Sequence, residues 1–286
     1  MTLKRLFFTL FFTSLAFPQA APNNEKIWQD FMGWVRAQHE IADVGKEYRA
    51  SLVQGGLTPV QADERMAIIG KVYPEHREEL NSVFVNKLYN SPKQTRFTLE
   101  PNAFLVHTAK GLQPGKALDV AMGQGRNAVY LATQGWDVTG FDIADEGMRV
   151  ANENAAKAGV RINTIHAKFE DFDYGKERWD LIYFIYTDAE VVDAKFADRI
   201  CAALKPGGYL LIERPFLDLD HPDPEWRAPL IEQDKPNALL KAYPDLRVIH
   251  YQDTREIGDW QQTSVSRLEK QLRIVRLLAR KQKQTF

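Results

Sequence analysis

The sequence has few of the residues that mark a disulfide scaffold or a metal centre. Of its 286 residues only one is cysteine, Cys201, so no internal disulfide can form. Its place in the helical pattern AKFADRICAAL predicts a small buried hydrophobe rather than a nucleophile. The histidines and this cysteine show no metal-ligand spacing, so the sequence predicts no metal site.

The chain also lacks a dominant charge. Its 37 Lys and Arg residues nearly balance 38 Asp and Glu residues, which leaves a formal net charge of −1. Such a chain has no global field to attract nucleic acid or an anionic membrane. It also contains neither an N-P-P-Y type tetrapeptide nor a basic aromatic run, so we expect no nucleic-acid partner.

Apolar runs are short along most of the chain, with one exception at its beginning. Lys4 and Arg5 precede an apolar run over residues 6–17, and Pro18, Gln19 and Ala20 follow. This layout is typical of a secretory signal peptide, and the run is too short for a stable membrane span. We therefore expect a leader over 1–20 and an exported or periplasmic protein. A cytoplasmic location is the alternative if the leader is misassigned.

Residues 24–100 show helical periodicity and predict a helical extension before the main domain. Thr58 and Pro59 are start signals for one helix, Pro74 predicts an interruption, and 79–89 carries another apolar stripe. Such stripes usually pack on a core, although an extension of this kind is also a possible lid over a binding site. The first stripe consists of Ile27, Trp28, Phe31, Trp34 and Val35.

The segment ALDVAMGQGRNAVYLATQGWDVTGFD, residues 117–142, carries the strongest functional signal. It reads as a strand, a turn with Gly123 and Gly125, a helix closed by Gly135, and a second strand that ends at Asp142. Glycines at a strand-to-helix turn let the backbone approach a ligand closely. An acid at the tip of the second strand can accept hydrogen bonds from both hydroxyls of a ribose. The segment therefore predicts a nucleotide-sized pocket.

Two cofactors are compatible with this glycine turn. Gly123, Gly125 and Ala128 fit G-x-G-x-x-A, which indicates an NAD(P)-dependent oxidoreductase. Asp119 inside the first strand argues against that interpretation, because a carboxylate there repels a pyrophosphate. It would favour the ammonium and sulfonium charges of S-adenosylmethionine. A non-catalytic, exported binding protein with the same fold is a third hypothesis.

Further strands predict an α/β fold built on a doubly wound, mostly parallel, seven-stranded sheet over residues 101–286. In LKPGGYLLIE, residues 204–213, a turn built on Pro206, Gly207 and Gly208 precedes a continuous apolar strand. A dehydrogenase normally needs a further substrate domain, for which little chain remains. The other predicted strands cover residues 162–167, 179–186, 246–252 and 272–279.

Asp119, Gly123, Gly125 and Asp142 resemble motif I and its following acid in the class I S-adenosylmethionine-dependent methyltransferases, whose usual pattern is D-x-G-x-G-x-G. Ala121 replaces the first glycine. The string GQGRNA is similar to the tellurite-resistance branch of that superfamily. The resemblance implies a Rossmann-like fold with S-adenosylmethionine as cofactor. It also implies in-line methyl transfer to a small-molecule acceptor. Because this cofactor is made in the cytoplasm, export of such an enzyme leaves its cofactor supply open.

The resemblance also implies roles for individual residues. Gly123 and Gly125 would face the methionine part of the cofactor, Asp119 its ammonium group, Asp142 the ribose and Ile143 the adenine. Lys168 stands where the family commonly has an acid. Either the adenine amino group is then left to water, or Glu170 or Asp171 takes the place of that acid through a register shift. The full set of expected cofactor contacts is Asp119, Gly123, Gln124, Gly125, Asn127, Asp142, Ile143, Lys168 and Phe169.

Acceptor contacts are expected where the fourth and fifth strands end, because ligands bind at the carboxyl edge of such sheets. We expect Tyr186 and Arg214 to contact the substrate and His221 to serve as a base if the acceptor must lose a proton. An acceptor that is already anionic needs no base. Other polar or aromatic residues at these strand ends are Tyr183, Asp188, Phe216, Trp226 and Arg227. The sequence leaves the acceptor, the methylated atom and the oligomeric state open.

Overall fold

A computed structural model describes residues 21–38, 43–90, 98–187, 189–216, 237–259 and 272–283. The expected leader over 1–20 lies outside these residues, as do Asp188, His221, Trp226 and Arg227. Within the described ranges, no helix is both long and apolar enough to cross a membrane.

The helical extension is present as three helices, α1 (Ala21–Ala37), α2 (Val44–Gln54) and α3 (Pro59–Asn90). Pro74 lies inside α3, so the predicted interruption there is wrong. A proline removes one backbone hydrogen bond, yet α3 continues through Pro74, with Ile69 and Leu80 buried on either side of it. Contacts divide the chain into two compact units, residues 1–83 and 84–286, and this division falls within α3.

An aromatic cluster forms the core of the first unit. Trp28 stacks on His76 with ring centroids 4.7 Å apart, and its indole nitrogen donates a 2.7 Å hydrogen bond to Glu79. Phe31 and Tyr48 pack edge to face at 5.0 Å. The helical stripe that begins at Ile27 therefore serves core packing in this unit.

The second unit contains a seven-stranded sheet in the order β3-β2-β1-β4-β5-β7-β6. The first five of these strands pair in parallel, whereas β7 pairs antiparallel with both β5 and β6. The strands are β1 (Lys116–Val120), β2 (Asp137–Asp142), β3 (Asn163–His166), β4 (Trp179–Ile185), β5 (Leu204–Phe216), β6 (Leu246–Glu256) and β7 (Leu272–Lys281). The helices are α4 (Ala103–Ala109), α5 (Arg126–Thr133), α6 (Asp145–Lys157), α7 (Ala194–Ala203) and α8 (Ala238–Ala242).

The central strands are buried on both faces, which is why their sequences are continuous apolar runs rather than alternating ones. In β4, Ile182 packs with Phe196 of α7 on one face of the sheet. Its neighbour Leu181 packs with Leu131 of α5 on the other face. The predicted doubly wound sheet is confirmed, with helices covering both faces.

Strand β1 lies where the strand order reverses, since β2 and β4 flank it on opposite sides. At such a switch point the connections leave β1 and β4 toward opposite faces, which opens a crevice beyond their carboxyl ends. The glycine turn that follows Val120 therefore lies at the edge of the sheet where ligands bind.

Candidate functional site

The turn after β1 adopts the left-handed backbone conformation that glycine favours. Gly123 has φ 52° and Gly125, which caps α5, has φ 75°. Ala121 has φ 58°, although it carries a Cβ atom. Ala121 stands where the D-x-G-x-G-x-G pattern has its first glycine. The backbone there therefore keeps a glycine-like conformation although the residue is alanine. That conformation costs a non-glycine residue about 1–2 kcal/mol.

Asp142 connects the end of β2 to the glycine turn. One of its carboxylate oxygens accepts a 2.8 Å hydrogen bond from the Gly123 amide, and the other accepts a 2.9 Å bond from the Ala144 amide. Burial raises the pKa of this carboxyl group, and the backbone amides oppose that rise. The amides hold the carboxylate in one orientation, with lone pairs left for the hydroxyls of a ribose.

Asp119 is a second buried carboxylate at the same edge, only 3% exposed. Its Oδ2 atom has no hydrogen bond of standard geometry among the described residues. The nearby Tyr183 hydroxyl interacts with the carboxyl group and opposes the rise of its pKa. Burial, together with the charge of Asp142, raises the pKa of Asp119 to about 7. An orphaned, buried acceptor of this kind fits an ammonium group and disfavours a pyrophosphate.

The neighbouring positions hold the turn together. The Gln124 side chain donates to the Thr98 carbonyl at 3.0 Å, and the Gln124 backbone carbonyl accepts from the Asn154 side chain at 3.1 Å. The Asn127 side chain accepts a 2.9 Å bond from the backbone amide of Asn102, so it braces the start of α4. The Ile143 carbonyl lies 3.1 Å from a ring nitrogen of His166.

The expected adenine side lies after β3. Lys168 is exposed, and Phe169 is partly buried against the edge of the Phe141 ring, with centroids 6.1 Å apart. Glu170 and Asp171, the alternatives to Lys168, are both exposed. The structure thus gives neither acid a buried position.

Tyr186 directly follows β4 and has a left-handed backbone conformation, with φ 54°. Its hydroxyl donates to the carboxylate of Glu213, which is fully buried and also accepts a 2.5 Å bond from Arg276. Burial and the charge of Glu213 raise the pKa of Tyr186, so its hydroxyl stays protonated. Arg214 is buried and donates to the Ala189 carbonyl at 2.8 Å.

A polar network that the sequence did not reveal joins these strand ends to the glycine turn. Asn102 donates to Glu213 at 2.8 Å and to Asp259 at 3.0 Å. Arg126, directly after Gly125, donates to Asp259 at 3.1 Å and lies over the Tyr186 ring. The sequence does offer a signal for Asn102: it follows Pro101 and precedes a helical run, which is the position of an N-cap residue. Asp259 has none, because its partners are far away along the chain.

Comparison with known proteins identifies relatives for this part of the chain. Residues 117–208 match the family model described as a methyltransferase domain. The chain is 27% identical over 198 residues to the probable S-adenosyl-L-methionine-dependent methyltransferase TehB of Haemophilus influenzae, covering 66% of this chain and 67% of TehB. It is 31% identical over 109 residues to a ubiquinone biosynthesis O-methyltransferase of Aliivibrio fischeri, covering 37% of this chain and 47% of that protein.

Solved structures share the fold. The crystal structure of TehB from Haemophilus influenzae superposes with a TM-score of 0.52 at 24% identity, covering 63% of this chain and 62% of TehB. The [4+2]-cyclase SpnF superposes with a TM-score of 0.50 at 16% identity, covering 76% of this chain and 96% of the cyclase. At these identities the likeness concerns the fold alone. The chain spans less than two thirds of the solved TehB chain.

The strained conformation of Ala121 gives a stability prediction. Ala121→Gly removes the Cβ clash of the left-handed conformation, so we expect the free energy of unfolding to rise by about 1 kcal/mol in urea titrations. Ala132→Gly in α5 is the matched control, expected to lower it by about 1 kcal/mol because that position is helical. A less stable Ala121→Gly variant would contradict strain at this position.

The raised pKa of Asp119 predicts a pH-dependent cost of folding. Its folded pKa of about 7 lies above the unfolded value, so the folded chain binds more protons between these values. The contribution of Asp119 to stability therefore falls as pH rises toward 7. We expect Asp119→Asn to gain stability relative to the unmodified, cofactor-free chain between pH 5 and pH 8, by up to about 3 kcal/mol. Urea titrations at both pH values measure this difference, and an equal difference at both would show that Asp119 is not the group responsible.

Proposed function

We propose that this chain, which belongs to the class I S-adenosylmethionine-dependent methyltransferase superfamily, is an enzyme that transfers a methyl group to a small-molecule acceptor. S-adenosylmethionine is its cofactor. The observation that carries the proposal is the pair of buried carboxylates at one sheet edge. Asp142 is oriented by backbone amides, and Asp119 has an orphaned oxygen beside the glycine turn.

The chain's own residues would bind and orient the cofactor. Asp142 would accept from the ribose hydroxyls, and Asp119 would accept from the ammonium group of the methionine part. The amides at the start of α5, after Gly125, would face its carboxylate. Bound S-adenosylmethionine supplies a methyl group on a sulfonium centre, which is displaced in line by the acceptor.

At the acceptor side, positioning would supply much of the acceleration, because methyl transfer needs donor and acceptor in line and near contact. Tyr186 lies at the end of β4, yet it is a poor base, since its hydroxyl donates to Glu213 and its pKa is raised. We therefore propose that the Tyr186 ring packs on the acceptor. Arg214, held by the Ala189 carbonyl, follows β5 as a second candidate contact. His221 remains our candidate base for an acceptor that must lose a proton.

A small-molecule acceptor is supported by the names of the relatives. A ubiquinone biosynthesis O-methyltransferase acts in the synthesis of a small molecule, and it is 31% identical over the aligned residues. The near-neutral charge of this chain gives no electrostatic attraction for nucleic acid.

Cofactor binding depends on Asp142 in this proposal. Asp142→Ala removes the acceptor for both ribose hydroxyls, so we expect S-adenosylhomocysteine to bind at least about 100-fold more weakly in calorimetric titration. Asp137→Ala at the other end of β2, where the side chain is exposed, is the matched control and should bind as the unmodified chain does. Full affinity in Asp142→Ala would rule out this pocket.

Two assays separate the alternative functions. S-adenosylmethionine should raise the melting temperature, whereas NAD should not; the opposite result would favour an oxidoreductase. Incubation with an extracted metabolite pool should convert S-adenosylmethionine to S-adenosylhomocysteine. Cofactor binding without any turnover would instead favour a binding protein with the same fold.

We propose that residues 1–20 direct export, because a basic start precedes a short apolar run. Expressed in a Gram-negative host, the chain should appear in the periplasmic fraction with a mass that corresponds to cleavage after Ala20. Leu10→Asp interrupts the apolar run and should keep the full-length chain in the cytoplasm. Uncleaved, unmodified chain in the cytoplasmic fraction would contradict export.

A further inference from the structure

The last turn of α3 belongs to the same compact unit as the sheet and contacts the glycine turn. The Asn86 side chain accepts a 3.0 Å hydrogen bond from the backbone amide of Glu146, at the start of α6. One turn later, the Tyr89 ring lies between Gly147 in the first turn of α6 and Gly123 of the glycine turn. This contact joins a residue of the helical extension to the edge of the sheet.

Two glycines leave the space that Tyr89 occupies. A Cβ atom on Gly123 would lie 2.3 Å from the Tyr89 hydroxyl oxygen, and one on Gly147 would lie 2.9 Å from its ring. Neither distance is compatible with a side chain at the glycine while Tyr89 stays in place. Gly123 therefore serves both the left-handed turn and close contact with the phenol.

The surroundings of the Tyr89 hydroxyl are those expected at the methionine end of the cofactor. The Gln124 backbone amide hydrogen-bonds to the phenol, and the Asp142 and Asp119 carboxylates act on it electrostatically. Burial, followed by these two negative charges, raises the pKa of Tyr89, so its hydroxyl is a neutral donor at physiological pH. A methionine carboxylate placed near two acidic side chains needs neutral donors to offset their repulsion.

We propose that Tyr89 is a further cofactor-binding residue, whose hydroxyl contacts the methionine end of S-adenosylmethionine at the glycine turn. This inference rests on the proposed function and names a residue from α3 that completes the same site. Tyr89 reaches the glycine turn from α3, while Asp119 and Asp142 contribute from β1 and β2.

The test compares two nucleosides that differ in the amino-acid part. S-adenosylhomocysteine carries it, whereas 5′-methylthioadenosine shares the adenine, ribose and thioether without it. Tyr89→Phe should bind S-adenosylhomocysteine about 10-fold more weakly and bind 5′-methylthioadenosine as the unmodified chain does. Tyr73→Phe, a half-exposed position of the same helix, is the matched control and should change neither affinity.

Other outcomes would overturn the inference. Unchanged or tighter S-adenosylhomocysteine binding in Tyr89→Phe would show that the hydroxyl makes no favourable contact. An equal loss of affinity for both nucleosides would show that the Tyr89 hydroxyl does not act on the methionine part of the ligand. If the unmodified chain binds neither nucleoside, the proposed function fails and this inference with it. Binding by the unmodified chain with no effect of Tyr89→Phe rejects the inference alone.

A second variant tests the geometry without altering Tyr89. Gly147→Ala places a methyl group 2.9 Å from the ring, which must shift. We expect weaker S-adenosylhomocysteine binding in this variant, and most of that loss should disappear in a Tyr89→Ala background. Equal losses in both backgrounds would show that the effect of Gly147→Ala does not pass through Tyr89. Melting temperatures of the ligand-free variants establish that each chain is folded.

Discussion

The hydrogen bond from the Gly123 amide to the Asp142 carboxylate connects the two strand ends on which the site depends. It runs between the turn after β1 and the tip of β2, so it fixes the spacing of two segments that must contact one ligand. The same carboxylate accepts from the Ala144 amide, which orients the start of α6. The position of Gly147, and hence the space for Tyr89, follows from the same arrangement.

Burial of two carboxylates at one edge opposes folding, because the ionised forms lose hydration. The structure offsets this cost unequally. Asp142 receives backbone amides on both oxygens, whereas Oδ2 of Asp119 has no partner in the described part of the chain. Ala121 and Tyr186 add left-handed backbone conformations at the same edge. Local strain and an unsatisfied charge concentrated at the carboxyl ends of β1 and β4 are typical of a functional site held by a stable scaffold.

The antiparallel end of the sheet also supports the strand ends where we propose that the acceptor binds. Arg276 of β7 reaches Glu213 of β5, which anchors the Tyr186 hydroxyl and the Asn102 amide. Asn102 and Arg126 both donate to Asp259. Since Arg126 is the first residue of α5, Asp259 connects the hydrogen bonds around Glu213 to the start of that helix. The glycine turn and the acceptor side are therefore held by one polar network. Buried hydrogen-bond networks of this kind restrict the side chains that belong to them.

The sequence by itself determined the sheet, the glycine turn and the two acids, because each depends on a local pattern. Apolar runs predicted the buried strands, and the positions of Asp119 and Asp142 relative to Gly123 predicted their place at one edge. The local pattern was misleading at Pro74, because α3 continues through this proline, with Ile69 and Leu80 buried on either side. Only the tertiary structure brought together Asn102, Asp259 and Arg126, and only it placed Tyr89 on the glycine turn. These contacts join residues that are far apart along the chain. Hydrophobic periodicity and motif spacing describe neighbouring residues, so they do not predict contacts of this kind.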